Sequence, residues 1–241
     1  MSPIIAGWLE VCLPSAIVQT ANCHSEKDLR MKEAKGFFGE LVIRFLGWVG
    51  LDKTVYRRLH NVTIELPDGT TQIDHVFVSR YGIFVVETKT LKGWIFGSER
   101  NATWTQKLYK QTFKFQNPLR QNYKHVKALE QVLGVDTRNI HSVVACAGSA
   151  ELKTAMPDNV TVGYGYVRYI KRFQDLVWTD SEVDEIAGRL RSSRLAPTRE
   201  THRRHVAHLK ERHGQEPSVK PVGKRRRVEP ALGLDDDIKD E

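Results

Sequence analysis

The stretch TTQIDHVFVSRYGIFVVETK, residues 70–89, constrains this chain more than any other. Two runs rich in Val, Ile and Phe, residues 72–78 and 83–89, flank a short segment that ends in Gly82. Such side chains suit a half-buried or fully buried pleat, and the segment between them suits a tight turn. The pattern therefore predicts two strands folded back on one another. Three charged residues, Asp74, Glu87 and Lys89, interrupt the apolar runs. Side chains alternate along a strand, so Glu87 and Lys89 project from one face. The turn brings the strand of Asp74 beside them, so two carboxylates and an ammonium can converge on one point.

That convergence has a chemical use. Carboxylate oxygens are the hard ligands that Mg²⁺ prefers, with the rest of its octahedron left to water and phosphate. A bound ion acidifies a water and neutralises charge on a phosphoryl oxygen. A neighbouring lysine can orient that water or stabilise the transition state.

Asp74 followed by Glu87-Thr88-Lys89 resembles the PD-(D/E)xK nuclease superfamily. The surroundings narrow the likeness: Gly36-Phe37-Phe38-Gly39-Glu40 upstream, Gln72-Ile73-Asp74-His75-Val76, Gly82-Ile83-Phe84-Val85-Val86-Glu87-Thr88-Lys89, and then Gly93-Trp94-Ile95-Phe96-Gly97, Trp104 and Asn117-Pro118-Leu119-Arg120-Gln121. In that order and spacing these motifs resemble the nuclease-related domain (NERD) family, over roughly residues 35–133.

The resemblance implies an α/β fold, a restriction-endonuclease-like sandwich with a central mixed β-sheet flanked by helices. It implies Mg²⁺-dependent (or Mn²⁺-dependent) hydrolysis of phosphodiester bonds in DNA. Asp74 and Glu87 would hold the metal, Glu40 on the first helix would reach it, and Lys89 would position the water. Gln121 would support the site; four residues on, His125 stands where related nucleases carry a tyrosine, and it reads as a partly buried polar residue. The partner implied is nucleic acid, DNA foremost, with a homodimer or a larger DNA-processing or defence complex as the assembly and no membrane. Two other functions fit the same residues: a nucleic-acid-binding module that cuts nothing, and an interaction protein whose triad is a structural ion-pair cluster.

Taken in order, residues 1–31 read as a helical arm. The apolar run at residues 4–18 is broken by Glu10 and Pro14, lacks a preceding basic segment, and is too short to span a bilayer. Residues 32–49 place Phe37, Phe38, Leu41, Val42, Phe45 and Leu46 at helical spacing, with Glu40 at the edge of that stripe. A strand is expected over 54–66, with Pro67-Asp68-Gly69 as its turn. Residues 94–96 and 102–106 read as a further hairpin. Lys107, Lys110 and Lys114 alternate with Tyr109 and Phe113, a mixture that suits phosphates and stacked bases, or equally a solvated face. Asn117-Pro118 opens a helix with Leu119, Val126, Leu129 and Leu133 as its buried stripe. Residues 140–147 form a continuous apolar run, a central strand. A strand over 160–166 and helices over 173–178 and 181–194 follow, the last capped by Asp180 or Ser181.

The core domain is placed at residues 32–196, and a basic, disordered extension at 197–241. Residues 189–227 carry 13 Lys and Arg against three Glu, although the whole chain of 241 residues has a net charge of +8. The positive excess therefore lies late in the chain. There Arg203, Arg204, Arg225, Arg226 and Arg227 join Lys107 and Lys110 as candidate contacts to nucleic acid. His202, His205 and His208 recur every third residue without acidic or thiol co-ligands, a weak metal pattern. Three cysteines without pair spacing suit a reducing, cytoplasmic setting rather than a disulfide framework.

Overall fold

The computed structural model describes residues 39–207, apart from 68, 197, 199, 202 and 205. Among the described residues, nine strands build two sheets. The larger, five-stranded sheet runs in the order β1-β2-β3-β7-β9, with β1 at Arg57–Leu66, β2 at Gly69–Ser79, β3 at Gly82–Thr90, β7 at Ile140–Ala147 and β9 at Val160–Val162. The first three form an antiparallel meander, and β7 and β9 add in parallel. The smaller sheet runs β6-β5-β4-β8, with β4 at Gly93–Phe96, β5 at Thr103–Leu108, β6 at Gln111–Gln116 and β8 at Ala150–Leu152.

Helices cover both faces of the large sheet. On one face α2 (Pro118–Leu133) and α4 (Asp180–Ser193) bury Val126, Leu129, Leu133, Val183, Ile186 and Leu190 against Ile73, Val76, Ile83 and Val85. On the other face α1 (residues 39–50) and α3 (Gly165–Ile170) meet Phe77, Phe84, Val86 and Val143 through Ile43, Tyr166, Val167 and Ile170. Alternate residues of β3 thus feed opposite cores, as period-two alternation requires. A third core beneath the small sheet holds Ile95 and Trp104 against Val144 and Cys146. The result is a mixed α/β sandwich of the restriction-endonuclease-like kind.

Several expectations are corrected. The first strand begins at Arg57 rather than residue 54. The strand at Val160 stops at Val162, where Gly163 takes φ +55, and Tyr166 lies on α3. Residues 173–178 are not helical: Phe173 packs against His141 and Phe84, and the backbone N–H groups of Val177 and Trp178 donate to Arg80 O in the β2–β3 turn. The cap of α4 is Thr179, in a reciprocal capping box with Glu182, rather than Asp180 or Ser181. Beyond α4, Leu195 N donates to Thr63 O and Arg204 pairs with Glu65 at 2.5 Å, so the start of the extension touches β1. The arm at 1–31, residues 32–38 of the expected first helix, the histidines at 202, 205 and 208 and the arginines at 225–227 lie outside the described residues.

Candidate functional site

The site forms where β2 and β3 part. Their ladder ends at the pair His75↔Val86. The next β3 donor, the N–H of Thr88, is taken at 2.7 Å by Asp74 Oδ2 instead of by a β2 carbonyl. A side-chain carboxylate thus replaces a backbone rung, which satisfies the buried donor and fixes Asp74 beside Glu87. Opposite Asp74, Asn61 of β1 adopts φ +50, a left-handed conformation that Asn tolerates.

Glu87 is buried at 3% exposure, and both its oxygens face cations or imidazole. Lys89 Nζ lies 2.7 Å from Oε1. His125 Nε2 approaches Oε2 to 3.3 Å, too obliquely for a hydrogen bond, and both atoms are buried without another partner. Lys89 also donates to Gln121 Oε1 at 2.8 Å, and His125 Nδ1 shares a hydrogen bond of 2.8 Å with Thr71 Oγ1 on β2. Gln121 and His125, four apart on α2, present one helix flank to β3.

Asparagines hold α2 there. Asn117 caps the helix by accepting from Leu119 N at 2.9 Å, while its amide donates to Asn101 O at 2.7 Å in the loop after β4. Asn122, fully buried, donates to Val85 O at 2.8 Å and Val143 O at 3.1 Å. On the opposite face α1 approaches β3 at Gly39, where a Cβ would fall 1.8 Å from Thr90 Oγ1. That close approach carries the next residue, Glu40, toward the same pocket.

The charges of the site act on one another. Burial, then repulsion from Glu87 and Glu40, pushes the Asp74 carboxyl well above its ordinary range, against the pull of Thr88 N–H and Lys89. Burial and Glu87 raise Glu40, with Lys89 opposing. Burial alone would raise Glu87 too, but the His125 imidazole and the Lys89 ammonium hold it below the usual glutamate range. Next to Asp74, His75 shares a 2.9 Å Nδ1–Nδ1 hydrogen bond with His60. Burial, with His60 and Arg44 adding to it, lowers His75 to about 3. Burial, then Arg44 and Arg58, lowers His60 to about 4, so both imidazoles are neutral near pH 7.

All five residues expected at the centre, Asp74, Glu87, Lys89, Glu40 and Gln121, thus share one neighbourhood. The expected metal trio of Asp74, Glu87 and Glu40 is not a closed ligand set. Among the described residues no group of three His, Cys, Asp or Glu is arranged to hold an ion alone. Lys89 occupies one oxygen of Glu87 and Thr88 one oxygen of Asp74. An open set of one or two carboxylates with water still suits Mg²⁺, and the unpartnered Oε2 of buried Glu87 is a ligand atom such an ion could use.

Sequence reasoning undervalued His125 and missed Thr71. His125 is 5% exposed and touches Glu87 directly; its spacing from Gln121 was the available signal. Lys107 lies on β5 and Lys110 in the β5–β6 turn, both exposed. Arg203 and Arg204 are exposed at the start of the extension. Among the described residues no helix is long and apolar enough to cross a membrane.

Comparison with known proteins bears on the same stretch. The chain is similar to an uncharacterized protein of Bacillus anthracis, 52% identical over 101 residues that make up 41% of this chain and 47% of that protein. It thus spans about half the length of that curated relative. No solved structure matches. The family model for the nuclease-related domain matches residues 35–147, which include Glu40, both site strands, the small-sheet hairpins, α2 and β7. Residues 35–147 are thus similar to the nuclease-related domain family, which falls within the PD-(D/E)xK-like nuclease group.

Proposed function

We propose that the pocket of Glu40, Asp74, Glu87 and Lys89 hydrolyses phosphodiester bonds of DNA with a divalent cation. The observation that carries this reading is the charge imbalance. Three carboxylates share an enclosed site with one ammonium, and two of the three are pushed upward in pKa. Perturbed acids of this kind concentrate where a protein does chemistry. Asp74 and Glu87, with Glu40 beside them, would hold Mg²⁺ or Mn²⁺, which when bound acidifies a water and neutralises charge on a phosphoryl oxygen.

This chain's own residues do the rest. Lys89, steered by Gln121, donates a hydrogen bond toward the attacking water or the phosphate. His125, fixed by Thr71, packs its ring beside the second oxygen of Glu87 and limits the carboxylate's movement. The basic residues after α4 supply sequence-independent attraction for the phosphate backbone.

A second reading has its own observation. Lys89 already pairs with Glu87 at 2.7 Å, as a purely structural ion cluster would. The domain would then bind nucleic acid, or serve as a subunit of a DNA-processing or defence complex, without cutting. Incubation with labelled linear and circular DNA, in Mg²⁺, Mn²⁺ or EDTA, separates the two. Metal-dependent product that disappears in Asp74→Ala supports hydrolysis. Intact DNA under every condition leaves the binding module.

A further inference from the structure

The small sheet turns one face to the third core and the other to solvent, and the solvent face has an unusual composition. Trp94 on β4 is 45% exposed. Lys107 stands opposite it on β5, with Nζ 5.6 Å from the indole centroid. From the other side Lys153, just after β8, brings its Nζ to 5.0 Å of the same ring. Glu151, opposite Trp94 on β8, pairs with Lys153 at 2.6 Å and offsets part of that charge. Two residues along β4, Phe96 opens a groove of about 550 Å³ shared with Thr103, Thr105 and Lys114.

The β5–β6 hairpin tip carries another exposed ring. Tyr109 is 99% exposed and takes φ +50, a conformation that favours glycine. A bulky ring kept in a strained backbone position, touching nothing, is a recurrent mark of a functional contact.

We propose that this face binds single-stranded nucleic acid, with Trp94 as the platform for a base and Lys107, Lys153 and Lys114 as partners for the flanking phosphates. Duplex bases are stacked on each other and offer no free face to an indole, whereas an unpaired base does. Aromatic rings interleaved with lysines on an open sheet are the arrangement that reads single strands without regard to sequence. The face lies at the end of β3 that carries Lys89, joined to it by Leu91 and Lys92 alone. A strand laid across it can run on toward the carboxylates. This deepens the nuclease reading and rests on it for the substrate's purpose, but the binding itself is separable.

The test is fluorescence anisotropy of the full chain in EDTA, where hydrolysis is silent, with labelled oligothymidylate and with the same oligomer in duplex form. Trp94→Ala should weaken binding to the single strand on the order of tenfold, and Trp94→Phe should restore most of it. Lys107→Ala and Lys153→Ala should each flatten the dependence of log K on log salt by about 0.7. Single-strand affinity unchanged in Trp94→Ala overturns the proposal, as does an equal loss for duplex. A melting temperature like that of the parent in Trp94→Phe and Lys107→Ala keeps these readouts independent of folding. Trp94-dependent binding without metal-dependent cleavage leaves this proposal standing and the nuclease reading fallen. Cleavage of single strands indifferent to Trp94 does the reverse.

Discussion

Lys89 Nζ lies 2.7 Å from Glu87 Oε1, two residues earlier on the same strand. Strand periodicity puts the two side chains on one face. Gln121, 2.8 Å away on α2, then keeps the ammonium from swinging out to solvent. The same lysine is the nearest compensation for Asp74 and Glu40, each of which it pulls downward against burial. One cation therefore balances a pocket built from three acids, and its removal is the sharpest perturbation available.

Lys89→Ala should slow cleavage by about 10²–10³, the usual cost of losing one aimed electrostatic partner. Metal binding should survive, because the carboxylates remain. The metal-free protein should lose stability, since Glu87 is left buried beside His125 alone, and Mn²⁺ should restore part of it. Single-turnover kinetics and melting curves with and without Mn²⁺ check both halves. A variant that cuts at the parent rate would reduce Lys89 to a structural counter-ion.

Asp74 makes a pH prediction. Its folded pKa is raised above the unfolded value, so the folded state binds more protons between the two. The stability this group contributes is full below the ordinary aspartate range and falls as pH rises through its raised folded value. Asp74→Asn keeps an acceptor for Thr88 N–H but cannot ionise. It should flatten that fall and make the metal-free protein more stable at neutral pH, while abolishing Mn²⁺ binding. Denaturant melts across pH for both proteins, with Mn²⁺ calorimetry, decide the point. Parallel pH curves would mean that Asp74 is not the group that titrates.

The architecture was legible where apolar runs were sustained. The Val-, Ile- and Phe-rich runs at residues 72–78 and 83–89, and the unbroken apolar run at 140–147, led directly to β2, β3 and β7. What escaped depends on partners distant in sequence. The apolar content of residues 173–178 mimics a helix, but His141, Phe84 and Arg80 hold them in an irregular path. His125 looked like an ordinary flank residue because nothing local says that Thr71 and Glu87 wait on both sides of its ring. The parting of β2 and β3 at Asp74 is likewise a tertiary fact, since no propensity foretells a carboxylate taking over a backbone rung.

His125→Ala should loosen Glu87 without removing a ligand. Outer partners of this type typically cost about 10–100-fold in metal affinity or activity when deleted. Calorimetry with Mn²⁺ should show weakened binding, and Thr71→Val should reproduce a smaller share of it. Unaltered affinity in both would limit His125 to packing.

Gly39→Ala tests whether α1 delivers Glu40. The added Cβ would meet Thr90 Oγ1 at 1.8 Å and Thr90 Cβ at 3.0 Å, so helix or strand must shift. Overpacking of this kind costs roughly 1–3 kcal/mol. Metal-dependent cleavage should fall further than that stability loss explains, because Glu40 moves with the helix. Thr90→Ser would not relieve the clash, whereas Thr90→Gly in the same chain should recover both properties. A double variant that stays inactive would show that Glu40 does not depend on this contact.

The basic extension should supply affinity rather than chemistry. Residues 197–227 hold ten Lys and Arg against three Glu, a basic stretch far denser than residues 1–188, which hold 23 Lys and Arg against 20 Asp and Glu. Arg194 and Leu195 still bridge to β1, through Ile64 and Thr63, which places the natural cut after Ala196. The Arg204–Glu65 pair is lost in that truncation, but both partners are more than half exposed, and such a pair is worth about 0–1 kcal/mol. The melting temperature should therefore change little. Each phosphate contact removed should flatten the dependence of log K on log salt by about 0.9 for duplex DNA. Truncation at 196 should thus weaken duplex binding most at low salt and alike for all sequences, while metal-dependent cleavage persists at high protein concentration. Salt titrations of the full chain and of residues 1–196 decide it. Identical slopes would assign the arginines to a protein partner, and the site would then have to hold its DNA with core residues alone.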